Sequence, residues 1–109
     1  MFKRENRLVS GVRFNNSFLI SAPEFVLKAR KNGLLLNRFG IVVSKKIDKR
    51  AVVRNKVKRF FRQALIDLSK NMMPGHDILF IVKIGILSKK KEEIRLAIKS
   101  ALEKAGLTK

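Results

Sequence analysis

One stretch constrains this chain more than any other. From about Val52 to Ser69, apolar residues fall at Val53, Val57, Phe60, Phe61, Ala64, Leu65 and Leu68. That i, i+4, i+7, i+8 spacing lines one side of an α-helix. The other side is cationic. Seven basic residues and no acid lie between Lys49 and Arg62. On a helical wheel, Asn55, Lys58, Arg59 and Arg62 project away from the stripe, Lys56 lies at its far margin and Arg54 sits near the first turn. The stripe needs a core to dock against, and the rest forms a row of positive charge. A merely solvated helix face usually mixes signs, with Glu placed to pair at i+4. Here almost no acid offsets the row, which points to a polyanionic partner.

The flanking sequence supplies the core. Arg38 to Lys45 alternates as a strand, with Phe39, Ile41 and Val43 on one side and Gly40, Val42 and Ser44 on the other. A basic loop, Lys45 to Arg50, joins it to the helix. Asp77 to Ile84 is nearly continuous in apolar residues, the pattern of a strand buried on both faces. Phe25 to Arg30 reads as another strand after Pro23, and Lys31, Asn32 and Gly33 as a turn. Leu34, Leu35 and Leu36 fit either a hairpin extension or the core. A short first helix is expected from about Ser10 to Phe18, with Phe14 and Phe18 four apart on one face. The last helix is expected after Ser88 as N-cap, with Ile94, Ala97, Ile98, Ala101, Leu102 and Ala105 inward and Gly106 as its stop. The order helix, strand, strand, helix, strand, helix suits one α+β domain over residues 1–109.

Composition narrows the function. Lys and Arg number 26 against 8 acids, a formal charge of +18. Such a domain repels itself unless its usual partner is anionic, with nucleic acid first and an anionic membrane second. A hydrophobic content of 46% argues against disorder. No apolar run is long enough for a membrane span, and no secretory signal is expected. The absence of Cys removes disulfides and thiolate metal sites and fits a cytoplasmic setting. Without Trp or Tyr, bases must stack on Phe, His or Arg.

Catalytic constellations are missing. His76 is the only histidine and follows Pro74 and Gly75, as a surface turn residue would. Asp67, Asp77, Glu92 and Glu93 fall in different contexts, and none forms an evident acid/base or metal pair. Glu92 and Glu93 suit the first turn of the last helix. Asp77 could coordinate a metal, but opening its strand is the simpler account. From spacing alone, Phe14 and Phe18 fit core packing better than a stacking platform.

The stretch FGIVVSKKIDKRAVVRNKVKRFFRQAL, Phe39 to Leu65, resembles the signature region of the bacterial ribonuclease P protein family. A G-x-x-V-S-K-K strand there leads into A-V-x-R-N-x-x-K-R-x-x-R. It is matched here by Gly40, Val43, Ser44, Lys45, Lys46, Ala51, Val52, Arg54, Asn55, Lys58, Arg59 and Arg62. Asn6, Arg7, Leu8, Phe14 and Phe18 match the N-terminal pattern, and Gly75, Asp77 and Ile78 the downstream G-x-D-I. The resemblance implies an αββαβα sheet-and-helix sandwich, ribosomal-protein-like, with a left-handed βαβ crossover. It implies that the catalytic RNA meets Arg54, Asn55, Lys56, Lys58, Arg59 and Arg62, with Lys45 and Lys46 beside them. It further implies a cleft between sheet and first helix, where Phe14, Phe18, Lys28 and Val42 hold the single-stranded 5′ leader of precursor tRNA. On this reading the chain is the accessory subunit of an endoribonuclease. The RNA performs the hydrolysis with Mg²⁺, and the protein holds no tight metal and needs no protein partner. The departures from the pattern are Lys56 for a frequent Arg, Lys28 for a common aromatic, a short segment between Phe18 and Phe25, and a loop before Ala51 that lacks a common Gly and is about one residue longer. The competing readings are a ribosomal or other structural RNA-binding protein, a membrane-surface protein and, least supported, a protein-only nuclease.

Overall fold

Alternation within the strands decides the architecture. In the computed structural model, which describes residues 18–108 (Phe18 by its backbone alone), the strands are β1 Phe18–Ser21, β2 Phe25–Lys31, β3 Arg38–Val42 and β4 His76–Val82. The helices are α1 Ala51–Leu68 and α2 Lys91–Lys104, with 3₁₀ turns at Ser69–Asn71 and Ile84–Ser88. The sheet order is β1-β2-β4-β3. β1 and β4 both run antiparallel to β2, and β3 runs parallel to β4. Parallel neighbours need a crossover, and α1 provides it.

Alternate residues of the sheet, Phe25, Leu27, Ala29, Phe39, Ile78, Phe80 and Val82, are buried. They meet Phe61, Ala64 and Leu65 of α1 and Ile94, Ile98, Ala101 and Leu102 of α2 in one core. At its centre the rings of Phe25, Phe61 and Phe80 meet edge-on, with centroids 5.1 to 5.9 Å apart. Edge-to-face contact sets the positive rim of one ring against the negative face of the next. Gly85 lets the chain after β4 pass Pro23: a Cβ there would lie 2.6 Å from the Pro23 carbonyl oxygen.

Several expectations need correction. Phe18 opens a strand rather than closing a helix, so the sheet gains a fourth member. The expected helix over residues 10–17 lies outside the described residues. β3 stops at Val42, not Lys45, because β4, its one partner among the described residues, runs out there: Val42 pairs with Ile81, one residue from the end of β4. β4 is not buried on both faces. Ile78, Phe80 and Val82 are buried, whereas Leu79 and Ile81 are half-buried, since among the described residues both helices pack on one face. Ser88 does not cap α2. Its hydroxyl donates to the Gly85 carbonyl, and the helix starts later, where Glu93 accepts from the Lys90 backbone N–H. His76 is the half-buried first residue of β4, paired with Lys31, rather than a surface turn. Leu35 is 97% exposed, so the Leu34–Leu36 run is a loop and not core.

Candidate nucleic-acid interface

The helix–sheet layer has two cation-bearing sides. α1 docks through Phe61, Ala64 and Leu65, so its opposite side faces solvent. Asn55, Lys56 and Arg59 are exposed there, and Lys58 and Arg62 are half-exposed at the flanks. No acid occupies the first turn. Among the described residues no ion pair engages Lys56, Lys58, Arg59 or Arg62, and Asp48, Asp67, Asp77 and Glu93 pair elsewhere. Asp67, the one acid on α1, binds Arg95 at 2.7 Å and ties α1 to α2. Its carboxyl is held below the ordinary range by Arg95 first and Gln63 next.

Arg54 has a different task. Its Nη1 donates to the carbonyls of Asp48 and Lys49 at 3.0 and 2.8 Å, holding the loop that precedes α1. Buried Ile47 anchors the same loop. The Asp48 carboxylate accepts from the side chain and the backbone of Arg50, which lower its pKa to about 2. Lys45 and Lys46 stand exposed on the turn between β3 and this loop. Substituting Arg54 therefore disturbs loop geometry as well as charge.

On the second face of the sheet, register gathers what the sequence scatters. Val26, Ile81 and Val42 form one rung, Lys28, Leu79 and Gly40 the next, and Arg30, Asp77 and Arg38 the third. Leu19 pairs with Lys28, and Ser21 with Val26. Lys28 and Val42 thus share a face. Phe14 lies outside the described residues, and Phe18 enters as the first residue of β1, opposite Ala29.

Sequence reasoning missed the third rung. Asp77 is fully buried and takes hydrogen bonds from Arg30, Arg38 and Asn32. Burial pushes its carboxyl up, but the bonds from Arg38, Asn32 and Arg30 outweigh it and bring the pKa below the ordinary range. A depressed folded-state pKa adds stability above the unfolded value of ~3.9, lost as pH falls through it. Thermal melts should therefore drop as pH falls from about 5 to about 3, and drop less in Asp77→Asn. Equal slopes in the two proteins would refute that contribution. The available sequence signal was an Asp at the head of an apolar run, with an Arg at the matching end of each neighbouring strand.

Comparison with known proteins agrees with this fold. The family model for ribonuclease P matches residues 2–106. This chain belongs to the ribonuclease P protein family. A ribonuclease P protein component of Haemophilus influenzae (strain PittGG) is 42% identical over 89 residues, 78% of this chain and 74% of that protein. One from Clostridium botulinum (strain 657 / Type Ba4) is 38% identical over 109 residues, covering 95% of this chain and 97% of the relative. Among solved structures, the ribonuclease P protein of Thermotoga maritima superposes with a TM-score of 0.76 at 27% identity, over 82% of this chain and 84% of that one. The Staphylococcus aureus protein gives 0.77 at 26%, over 85% and 84%. The chain is thus a component of a ribonuclease that processes tRNA, and its mixed α+β fold is the family's.

Proposed function

We propose that this ribonuclease P protein binds two RNAs at once. The outer side of α1, with Lys45 and Lys46, takes the catalytic RNA. The second face of the sheet takes the single-stranded 5′ leader of precursor tRNA, with Val26, Ile81 and Val42 under the bases and Lys28 near the phosphates. The observation that supports this most is the placement of cations on both sides of one rigid layer. Each side neutralises a different backbone, so leader and catalytic RNA approach at lower electrostatic cost. The RNA carries out the bond chemistry. Among the described residues there is no group of three or more His, Cys, Asp or Glu that could hold a metal ion. The Mg²⁺ of the reaction would reside on the RNA, activating water there. We place the protein in the cytoplasm with no further protein partner.

A membrane-surface reading would need the apolar stripe of α1 at lipid. Phe61 and Leu65 are instead sealed in the core. No described helix is long and apolar enough to cross a membrane.

The test is cleavage of precursor tRNA by the catalytic RNA at low Mg²⁺, with and without the protein. Addition should raise both precursor affinity and rate, and unchanged values would end the proposal. Copurification of a ribosomal subunit instead of the catalytic RNA would favour a structural RNA-binding role.

A further inference from the structure

The third rung of the second face holds an arginine locked by a buried carboxylate, with a donor to spare. Asp77 Oδ1 accepts from Arg38 Nε at 2.7 Å and Asn32 Nδ2 at 3.0 Å. Its Oδ2 accepts from Arg38 Nη2 at 2.8 Å and from Arg30 Nη2 and Nε at 3.1 and 3.2 Å. The carboxylate is sealed, yet the Arg30 and Arg38 side chains keep 25% and 28% of their exposure. Burying a carboxylate is costly, and here several well-placed hydrogen bonds compensate it. Arg38 spends its Nε–Nη2 edge on Asp77, and its Nη1 has no partner among the described residues. A guanidinium locked by a buried carboxylate is a preorganised donor, and phosphate is the anion it matches.

We infer that Arg38 anchors a phosphate of the single-stranded leader, with the buried Asp77 as the positioning residue that fixes its guanidinium. The inference rests on the leader-binding reading above. Arg38 is four residues from Val42 along β3, about 13 Å at strand rise. A leader crossing the face would pass the apolar Val26–Ile81–Val42 rung, then Lys28, then this anchor.

Charge and position make opposite predictions for Asp77→Asn. Removing a negative charge beside two arginines should tighten RNA binding if only net charge matters. If Asp77 positions the fork, binding weakens although the site becomes more positive. The experiment uses holoenzyme reconstituted from the catalytic RNA and full-length protein, with circular dichroism confirming the fold of each variant. Affinities are measured for precursor tRNA and for mature tRNA. Arg38→Gln should lower precursor affinity on the order of ten-fold, the value of a hydrogen bond to a charged group, and leave mature tRNA unchanged. Arg38→Lys, which keeps the charge without the fork, should recover only part of the loss. Asp77→Asn should also weaken precursor binding. Tighter binding by a folded Asp77→Asn overturns the positioning role. Should Asp77→Asn fail to fold, the two Arg38 variants decide. A Lys28→Gln variant separates this inference from its premise. Loss with Lys28→Gln but not with Arg38→Gln overturns the anchor and keeps the leader surface, whereas loss with neither overturns both. Equal loss for precursor and mature tRNA would make Arg38 a structural residue and overturn the anchor.

Discussion

Changing Lys56, Arg59 and Arg62 together to Glu should cut affinity for the catalytic RNA by two or more decades at moderate salt. It should also flatten the salt dependence by roughly two to three units of log–log slope, at about 0.7 to 0.9 per phosphate contact. The three side chains follow one another at i, i+3 spacing on the outer side of α1, and no described acid neutralises them. Arg54 is left out on purpose, because its bonds to the Asp48 and Lys49 carbonyls would mix loop damage into the result. The substitution should act on the free protein with the opposite sign. Each swap changes the charge by two, bringing +18 to +12, and relieves like-charge crowding along the helix. The melting temperature of the isolated protein should hold or rise while RNA binding collapses. Filter binding across a salt series, beside a thermal melt, reads both. Unchanged affinity and slope would remove α1 as the RNA-facing surface.

Phe80→Ala should be the most damaging single truncation of the core, at about 3–5 kcal/mol. Phe80 is fully buried on the central strand and touches both Phe25 and Phe61, with ring centroids 5.1 and 5.4 Å away. Small domains hold ~5–15 kcal/mol in total, so this loss consumes a large share. Phe60 is only half-buried on the neighbouring flank of α1, and Phe60→Ala should cost clearly less. Urea unfolding of the two variants checks the ranking. Comparable losses would contradict the packing described around Phe80.

The legible parts of this fold are those where one physical rule dominates. α1 came within a residue at each end, because its apolar stripe has only one helical solution. Outward Asn55 and Arg59 followed from that stripe, whereas Lys56, expected at its margin, is exposed and Lys58 and Arg62, expected outward, are half-exposed at the flanks. β1 escaped notice because Phe18–Ser21 is short and lacks a sustained alternation. It acquires strand structure from pairing with β2, which is tertiary information. β4 misled for the converse reason: an unbroken apolar run does not say whether one face or two will be covered. The Asp77 rung depends on three residues far apart in the chain falling at one register. The sequence offers only an Asp and two Arg at strand ends, and the pairing register that joins them is tertiary information. His76 and Ser88 were misjudged by a residue or two of boundary, which is enough to move a side chain from turn to strand or from cap to 3₁₀ turn.

The strand order bears on how this molecule comes into being. β4 lies between β2 and β3 but follows both in the chain, after the whole of α1. During translation β2 and β3 therefore emerge with the seat between them vacant, and among the described residues β3 has no other neighbour to bond. Until His76–Val82 clears the ribosome, most of the ladder that defines the sheet has nothing to close on, and the cationic helix precedes the scaffold that will orient it. Assembly must then proceed by inserting a late central member rather than by adding strands at an edge, a non-local step of the kind that slows folding.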